Sequence, residues 1–448
     1  MRFEFDNLGP IKNGQIELGK LTVFCGKNNT GKTYVNYLIY GFYYYLRRRM
    51  LAMDDKLEEA YTVQKGYCDV HVNKIVELLP KIKDQAEKEY LTYLPSVFKV
   101  KKEFFSEFSM SVGDVLDEKQ DIAEEIYQKL IGFSLDFNNL EIKRCSDELI
   151  RLTFLNEEAY HEIGREMEVV MTFLVYAILY DFVFAAVYML PAERNGLNMF
   201  YRELNIHRNQ VLFDVISQKD EGLIHKNISK YPLPISEYIN MLNSMNRIDD
   251  DEVGYADMAT ALEQKIVSGK FFVTDNGNIQ FATDYDEKLD FHLSSSTAKS
   301  LFGLDYLLHH ELKEGCYLII DEPEQNLHPD NQRYIARLLA KLANAGVNVI
   351  ISTHSEYIIK EFNNLMILKH HFKGYERLME EYEYNEQELL AQEDIKAYVF
   401  KEGTTHEVRI DEEGMRMWIF DDVISQMTEA TNEIYNEYVE EGDEETYE

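Results

Sequence analysis

The 448-residue chain carries 80 acidic against 46 basic side chains, a net charge of −34, which excludes a broad nucleic-acid-coating surface. Hydrophobic residues at 45% and aromatics at 13% exclude a disordered chain, and the length allows two or three domains around a sizeable core. The four cysteines, Cys25, Cys68, Cys145 and Cys316, are scattered without C-x-x-C spacing, and the first residues do not read as a signal peptide, so the expectation is reduced thiols in a cytoplasmic protein.

Short strands are predicted over Arg2–Phe5, Gly14–Glu17 and Leu21–Phe24, with Asn7-Leu8-Gly9-Pro10 as a turn. The third strand runs into Gly26-Lys27-Asn28-Asn29-Thr30-Gly31-Lys32-Thr33, which matches G-x-x-x-x-G-K-[ST], and a helix-compatible run, Tyr34–Tyr45, follows. Strand, glycine-rich loop and helix in that order make a polyphosphate cradle, in which backbone N–H groups and the helix N-terminus supply positive potential. Lys32 is expected to reach the β- and γ-phosphates of ATP, and the Thr33 hydroxyl to ligate Mg²⁺.

Residues 50–180 read as mainly helical, with apolar residues at three and four spacing in Val72–Leu79 and no sustained heptad, so 51–181 is expected to be a compact helical insertion. Val169–Leu190 is a 22-residue apolar run with Asp181 as its one charge. A charge near the centre and missing basic flanks argue against a membrane span, so the reading is a buried helix over 166–180 and a core strand over 182–190. That strand ends at Pro191-Ala192-Glu193-Arg194, placing a charged pair at the strand edge where open α/β sheets bind ligands.

Further helices are expected to 265, broken at Tyr231-Pro232-Leu233-Pro234, with 206–265 as a second helical insertion, and then a hairpin over Lys270–Phe281 around Asn276-Gly277. Ser294, Ser295, Ser296 and Thr297 precede a helix over Ala298–Leu312, and hydroxyls there serve either as plain N-caps or as an anion site. Tyr317–Ile320 is a buried strand ending in Asp321 and Glu322, one carboxylate placed to hold Mg²⁺ and the next to polarise an attacking water. Val347–Ile351 is another buried strand, and His354 follows it at what should be the same sheet edge. Ile395–Phe400 with His406–Ile410 reads as an edge hairpin, Met415–Tyr438 as a last helix, and Glu437–Glu448 as a disordered acidic tail.

In this order the elements resemble the ATP-binding-cassette superfamily, which implies an α/β P-loop ATPase head, a mixed sheet with flanking helices, interrupted by large α-helical insertions. The resemblance implies a discontinuous head of 1–50, 182–205 and 266–430. It also implies an ATP-sandwich homodimer or higher oligomer, in which a signature helix reaches the partner's nucleotide. Leu293-Ser294-Ser295-Ser296-Thr297 stands where that family has Leu-Ser-Gly-Gly-Gln, with Ser295 and Ser296 replacing both glycines and Thr297 the glutamine. Glu324-Gln325-Asn326-Leu327-His328 takes the place of the dimer-contact loop, and His354 matches the switch histidine. The metal-contacting glutamine has no match after the P-loop, Gln64 lying too deep in the insertion.

Within the superfamily, the opening Asn7–Ile11, the run Leu190–Arg194 and the run Asp321–Glu324 with Leu327-His328-Pro329 and Gln332 look like the RecF/OLD-like soluble ATPases. Many ATPases similar to these sit beside a nuclease in anti-phage systems such as PARIS and Septu. The implied partners are a separate effector, such as a nuclease, and a phage protein as trigger. Asp249-Asp250-Asp251 and Asp284-Tyr285-Asp286 lack the strand context of a Toprim nuclease, and the pairs His309/His310 and His370/His371 lack partners at metal-ligand spacing. The chain is therefore expected to hydrolyse ATP without cutting nucleic acid. The competing reading is a RecF/SMC-like repair or chromosome-maintenance ATPase that binds DNA directly.

Overall fold

The computed structural model describes residues 1–50, 58–64, 67–113, 140–154, 186–204, 231–245, 254–274, 278–283, 288–416 and 426–436, with part of 124–131 and residue 438. The first hairpin is β1 (Arg2–Leu8) against β2 (Ile11–Glu17), turning through Asn7 and Gly9 at φ 57° and 58°. These strands alternate buried and exposed residues, as a one-sided antiparallel wing should. By contrast β3 (Leu21–Gly26) is buried at every position, as a strand with helices on both faces should be.

The insertion after the P-loop helix Lys32–Met50 is not all helical. It contains an antiparallel four-stranded sheet, in the order β4 (Tyr61–Gln64), β5 (Tyr67–His71), β8 (Leu149–Phe154), β7 (Leu140–Ser146). Strand β6 (Ser109–Val112) leaves the insertion and joins β1 at the rim of the main sheet. The strand signal was a period of two, as in β5, where Cys68 and Val70 are buried between half-buried neighbours. Arg151 and Asp69 lie opposite each other and form a bidentate pair at 2.7 and 2.8 Å. The helical expectation holds for Val72–Phe98, whose Tyr90 hydroxyl donates to the Leu38 carbonyl of the P-loop helix at 2.8 Å.

Beyond the insertion come β9 (Val187–Leu190) and a three-stranded meander of β10 (Gly269–Val273), β11 (Ile279–Thr283) and β12 (Lys288–Asp290). The strands β13 (Tyr317–Asp321) and β14 (Asn348–Thr353) follow, then β15 (Ile395–Lys401) and β16 (Thr404–Glu407). The main sheet has nine strands in the order β6-β1-β2-β16-β15-β3-β14-β13-β9. Its β15-β3-β14-β13-β9 part is parallel throughout, so all five strands end at one edge. This is the α/β P-loop ATPase head with a mixed sheet that the sequence predicts.

Successive residues of the parallel strands feed two cores. Leu21, Val23, Leu318, Ile320, Val349 and Ile351 face one, under the helices Ser296–His310, Pro329–Asn344 and Glu356–Leu368. Phe24, Ile319, Ile350, Tyr398 and Phe400 face the other, under the P-loop helix and Val72–Phe98.

The hairpin β15–β16 is central rather than at an edge. β15 pairs with β3 from Ile395↔Leu21 to Phe400↔Gly26, and β16 touches β2 at Thr404↔Asn13, so it joins the antiparallel wing to the parallel core. Its run Ala397–Phe400 is buried on both faces, the pattern of an interior strand. The expected helix over 166–180, residues 182–185 of the strand expected over 182–190, Asp249–Asp251, Asp284–Asp286, the Asn276-Gly277 turn and nearly all of 437–448 lie outside the described residues, while β9 is the described end of that strand. Among the described residues no helix is long and apolar enough to cross a membrane.

Candidate active site

The loop after β3 is shaped by two glycines. Gly26 sits at φ 148°, and a Cβ there would lie 2.7 Å from the Phe400 carbonyl oxygen; Gly31 sits at φ 103°, and a Cβ would lie 2.6 Å from Ile11 Cγ1. Neither place admits a side chain, so the sheet and the first hairpin press the loop into its bend. Lys27, Asn28 and Asn29 are exposed along it, Asn29 at φ 63°, and the Thr30 hydroxyl donates back to the Lys27 carbonyl at 2.8 Å. Lys32 is 7% exposed, and its Nζ donates to the carbonyls of Gly26 at 2.9 Å and Lys27 at 3.0 Å, which holds it over the loop. Burial lowers its pKa, against the pull of the Asp321, Glu322 and Glu324 carboxylates. Thr33 is exposed in the first turn of the helix, which carries no acidic residue there to cancel the positive end.

Two strands away, Asp321 ends β13. Its Oδ1 accepts from Asn36 Nδ2 at 2.6 Å and from the Ser352 hydroxyl. Burial raises the Asp321 carboxyl above the usual carboxylate range against those two hydrogen bonds, and the Glu193 and Glu322 charges push the same way. Sequence reasoning missed both partners, although each had a signal. Asn36 lies one helical turn beyond Lys32, on the same face. Ser352 stands opposite Asp321 in the β13–β14 register.

Glu322 follows at φ 50°, a left-handed conformation unusual for a carboxylate residue. Its N–H donates to the Ser352 carbonyl at 2.9 Å, so the backbone is pinned while the half-buried side chain leaves the sheet edge. Arg194, 1% exposed, braces this corner from below. Its guanidinium donates to the carbonyls of Asp321 at 2.6 Å, Glu322 at 2.6 Å, Ser300 at 3.1 Å and Pro191 at 3.2 Å. The charged pair seen at the end of β9 therefore divides: Arg194 is an internal brace, and Glu193 stays exposed with its charge felt by Asp321.

His354 follows β14 at the same edge, as its spacing predicts. Burial and the Lys32 charge lower its pKa, so the imidazole is neutral at pH 7. Its backbone N–H donates to Glu324 Oε1 at 2.6 Å, and Thr353 Oγ1 donates to Glu324 Oε2 at 2.9 Å. Glu324, expected in a dimer-contact loop by resemblance, thus turns inward and ties the ends of β13 and β14 together.

The serines lie across the Arg194 brace. Ser294 is buried and its hydroxyl donates to the Phe291 carbonyl at 2.7 Å, whereas Ser295 is the N-cap of Ser296–His310, its Oγ accepting from the Ala298 N–H at 3.1 Å. Ser295 and Ser296 are exposed, beside Leu293 at 63% exposure. Thr297 Oγ1 donates to the Asn326 carbonyl, and Asn326 Nδ2 to Ser300 Oγ, so this helix start and the loop after Glu322 form one surface. Gln64 lies in the insertion sheet, paired with Tyr67. The expectation that His309 lacks partners at metal-ligand spacing fails, because Glu263 and Asp305 stand beside it. Asp305 is four residues earlier on the same helix face, a spacing visible in the sequence, while Glu263 is brought in only by folding.

A family model described as an AAA ATPase domain matches residues 1–359. Among solved structures, the SMC head domain from Thermotoga maritima is 11% identical, with 92% of this chain and 98% of that chain covered and a TM-score of 0.33. An SmcHead bound to the C-winged helix domain of ScpA is 9% identical, with 91% and 96% covered and a TM-score of 0.35. An Smc head domain with an extended coiled coil, bound to the C-terminal domain of ScpA derived from Pyrococcus furiosus, is 10% identical, with 96% and 98% covered and a TM-score of 0.33. No curated protein matches the chain.

Arg194→Lys tests the brace. An ammonium cannot span four carbonyls set out for a planar fork, so the variant is expected to lose about 2–4 kcal/mol of stability in urea unfolding. A loss under about 1 kcal/mol, the worth of one ordinary hydrogen bond, would show that the corner holds without Arg194.

Proposed function

Because the chain belongs to the AAA ATPase domain family and is an ATPase, we propose that it works as an ATP-driven sensor or scaffold, dimerising through a nucleotide sandwich and controlling a separate effector protein. The observation that carries the ATP site is the shared sheet edge: Lys32, Asp321, Glu322 and His354 come from three adjacent parallel strands or the loops leaving them.

The donor set suits Mg²⁺, which takes oxygen ligands and keeps several waters. Asp321 and Thr33 would hold it, and Asn36 Oδ1, buried and without a partner among the described residues, adds an oxygen beside them. When bound, the ion supplies charge neutralisation for the phosphates. Lys32 then exchanges its two carbonyl contacts for phosphate oxygens, and the loop amides of Gly26 to Thr33 take the remaining charge. Glu322, held by its pinned backbone, accepts a proton from the attacking water. Neutral His354 positions that water or the γ-phosphate by a hydrogen bond, and Glu324 fixes its backbone.

In that sandwich Ser295 and Ser296, exposed at a 15-residue helix N-terminus, would meet a second copy's γ-phosphate, with the Glu324–His328 loop beside them. A net charge of −34 supports a protein partner over the coating of DNA. Anti-phage defence, with a nuclease effector and a phage protein trigger, is the biological setting we assign from the RecF/OLD-like motifs, together with a cytoplasmic location and no nuclease activity of the chain itself.

Lys32→Ala is expected to abolish tight binding of a labelled ATP analogue in equilibrium titrations, and unchanged affinity would remove Lys32 from the site. Glu322→Gln should still bind ATP but turn over roughly 10²-fold more slowly or worse, the scale of a lost general base. Turnover near wild type would transfer the water to another group, His354 first.

Ser295→Arg should block turnover without weakening ATP binding by the isolated subunit. Mixed with Lys32→Ala it should recover about one competent site per heterodimer, since both lesions then fall in the same composite site. No recovery with dimerisation intact would leave the serines as helix caps and sink the sandwich.

A further inference from the structure

We propose that Glu263, Asp305 and His309 form a second metal site, for one first-row divalent transition ion, which ties the far half of the serine-capped helix to the π-helical turn packed behind it. One ligand atom from each lies within 4.8 Å of the others. Asp305 and His309 share a face of Ser296–His310, with His309 Nε2 3.9 Å from Asp305 Oδ1. Glu263 opens the five-residue π-helical turn Glu263–Val267, an uncommon backbone form often found at functional positions.

The nearby cation is Lys270, exposed on β10, whose charge opposes the rise of both carboxyls. Asp305 is 0% exposed in an apolar setting, and neither carboxylate oxygen has a hydrogen-bond partner. An unpaired buried carboxylate is costly, and a second, Glu263 at 4% exposure, stands beside it. Burial, and then the Glu263 charge, raises the Asp305 carboxyl well above the usual carboxylate range. A divalent cation would satisfy both carboxylates at once. The Phe271 N–H donates to Glu263 Oε1 at 3.3 Å, the kind of outer contact that orients a ligand. His309, whose side chain is 22% exposed, gives the ion a way in.

Bonds of about 2.1 Å at tetrahedral angles put ligand atoms about 3.4 Å apart, so closing the site takes small movements of the Glu263 side chain and of the partly exposed His309 ring, whose Nε2 is 3.9 Å from Asp305 Oδ1. Two carboxylates with one imidazole suit manganese, iron or zinc in the divalent state better than Mg²⁺ or Ca²⁺, which favour oxygen alone. The helix rises about 1.5 Å per residue, so Asp305 is about 14 Å along it from Ser296 and apart from the nucleotide end.

The test uses the full chain, free of nucleotide and stripped with chelator, titrated with Co²⁺ as a spectroscopic probe and assayed for bound metal by mass spectrometry. Asp321→Asn serves as a background without the ATP-site ligand. Wild type and Asp321→Asn should each take about one equivalent with a visible d–d band, and Zn²⁺ should raise the melting temperature by several degrees. His309→Ala and His309→Gln, at a partly exposed position, should fold yet lose the band and the Zn²⁺ shift. No Co²⁺ bound by the wild type would overturn the site and leave Asp305 and Glu263 as carboxyls sharing a proton. Binding retained in both His309 variants would place the metal elsewhere and overturn it equally.

Discussion

A guanidinium buried under the end of the central strands sets the geometry of the catalytic edge. Arg194 is almost wholly buried, an expensive place for a charge, and burial lowers its pKa. Four carbonyl oxygens and the nearby Asp321, Glu322 and Glu324 charges offset that cost. Two of those carbonyls belong to the residues assigned to metal and water. A third, Ser300, belongs to the serine-capped helix, and the fourth, Pro191, to the end of β9. One side chain thus joins the ATP edge to the surface a second copy would meet. A shift at Ser300 would reach Glu322 through a single rigid fork, which in the proposed sandwich would couple assembly to turnover.

The edge is also an electrostatic compromise. Lys32 lies among three carboxylates and is desolvated by the loop it caps, so opposing influences act on its ionisation. Asp321 is balanced the other way, raised by burial and held down by Asn36 and Ser352. Groups in this state gain from a polyanion carrying a divalent cation, because each then meets the opposite charge its burial withholds. Burial and the Lys32 charge keep His354 neutral, so it adds no second positive charge to the edge.

The insertion shows how tertiary contacts override a helical reading. Its strands are four to seven residues long, and their apolar positions alternate with charges that also suit a solvated helix face. Only pairing decides between the two. Arg151 finds Asp69 across β5 and β8, 82 residues apart in the chain, and that pair stabilises the sheet rather than a local helix. The same holds for β15, whose run buried on both faces marks an interior strand but whose neighbours, β3 and β16, are set by topology.

From its residues alone the chain determined the phosphate loop, the strands that carry the chemistry after it in chain order, and the carboxylates and histidine at their ends. Each of those rests on a short local pattern: two glycines where no Cβ fits, four apolar residues before Asp321, three before Ser352. What the tertiary structure decided lies between segments far apart. It made Arg194 a brace and Glu324 a staple, gave Asp321 its partners Asn36 and Ser352, and set β15 beside β3. It also brought Glu263 to Asp305 and His309. Local patterns report which face of an element is apolar, whereas these arrangements depend on which element covers that face, and that is settled only when the whole sheet and its helices pack.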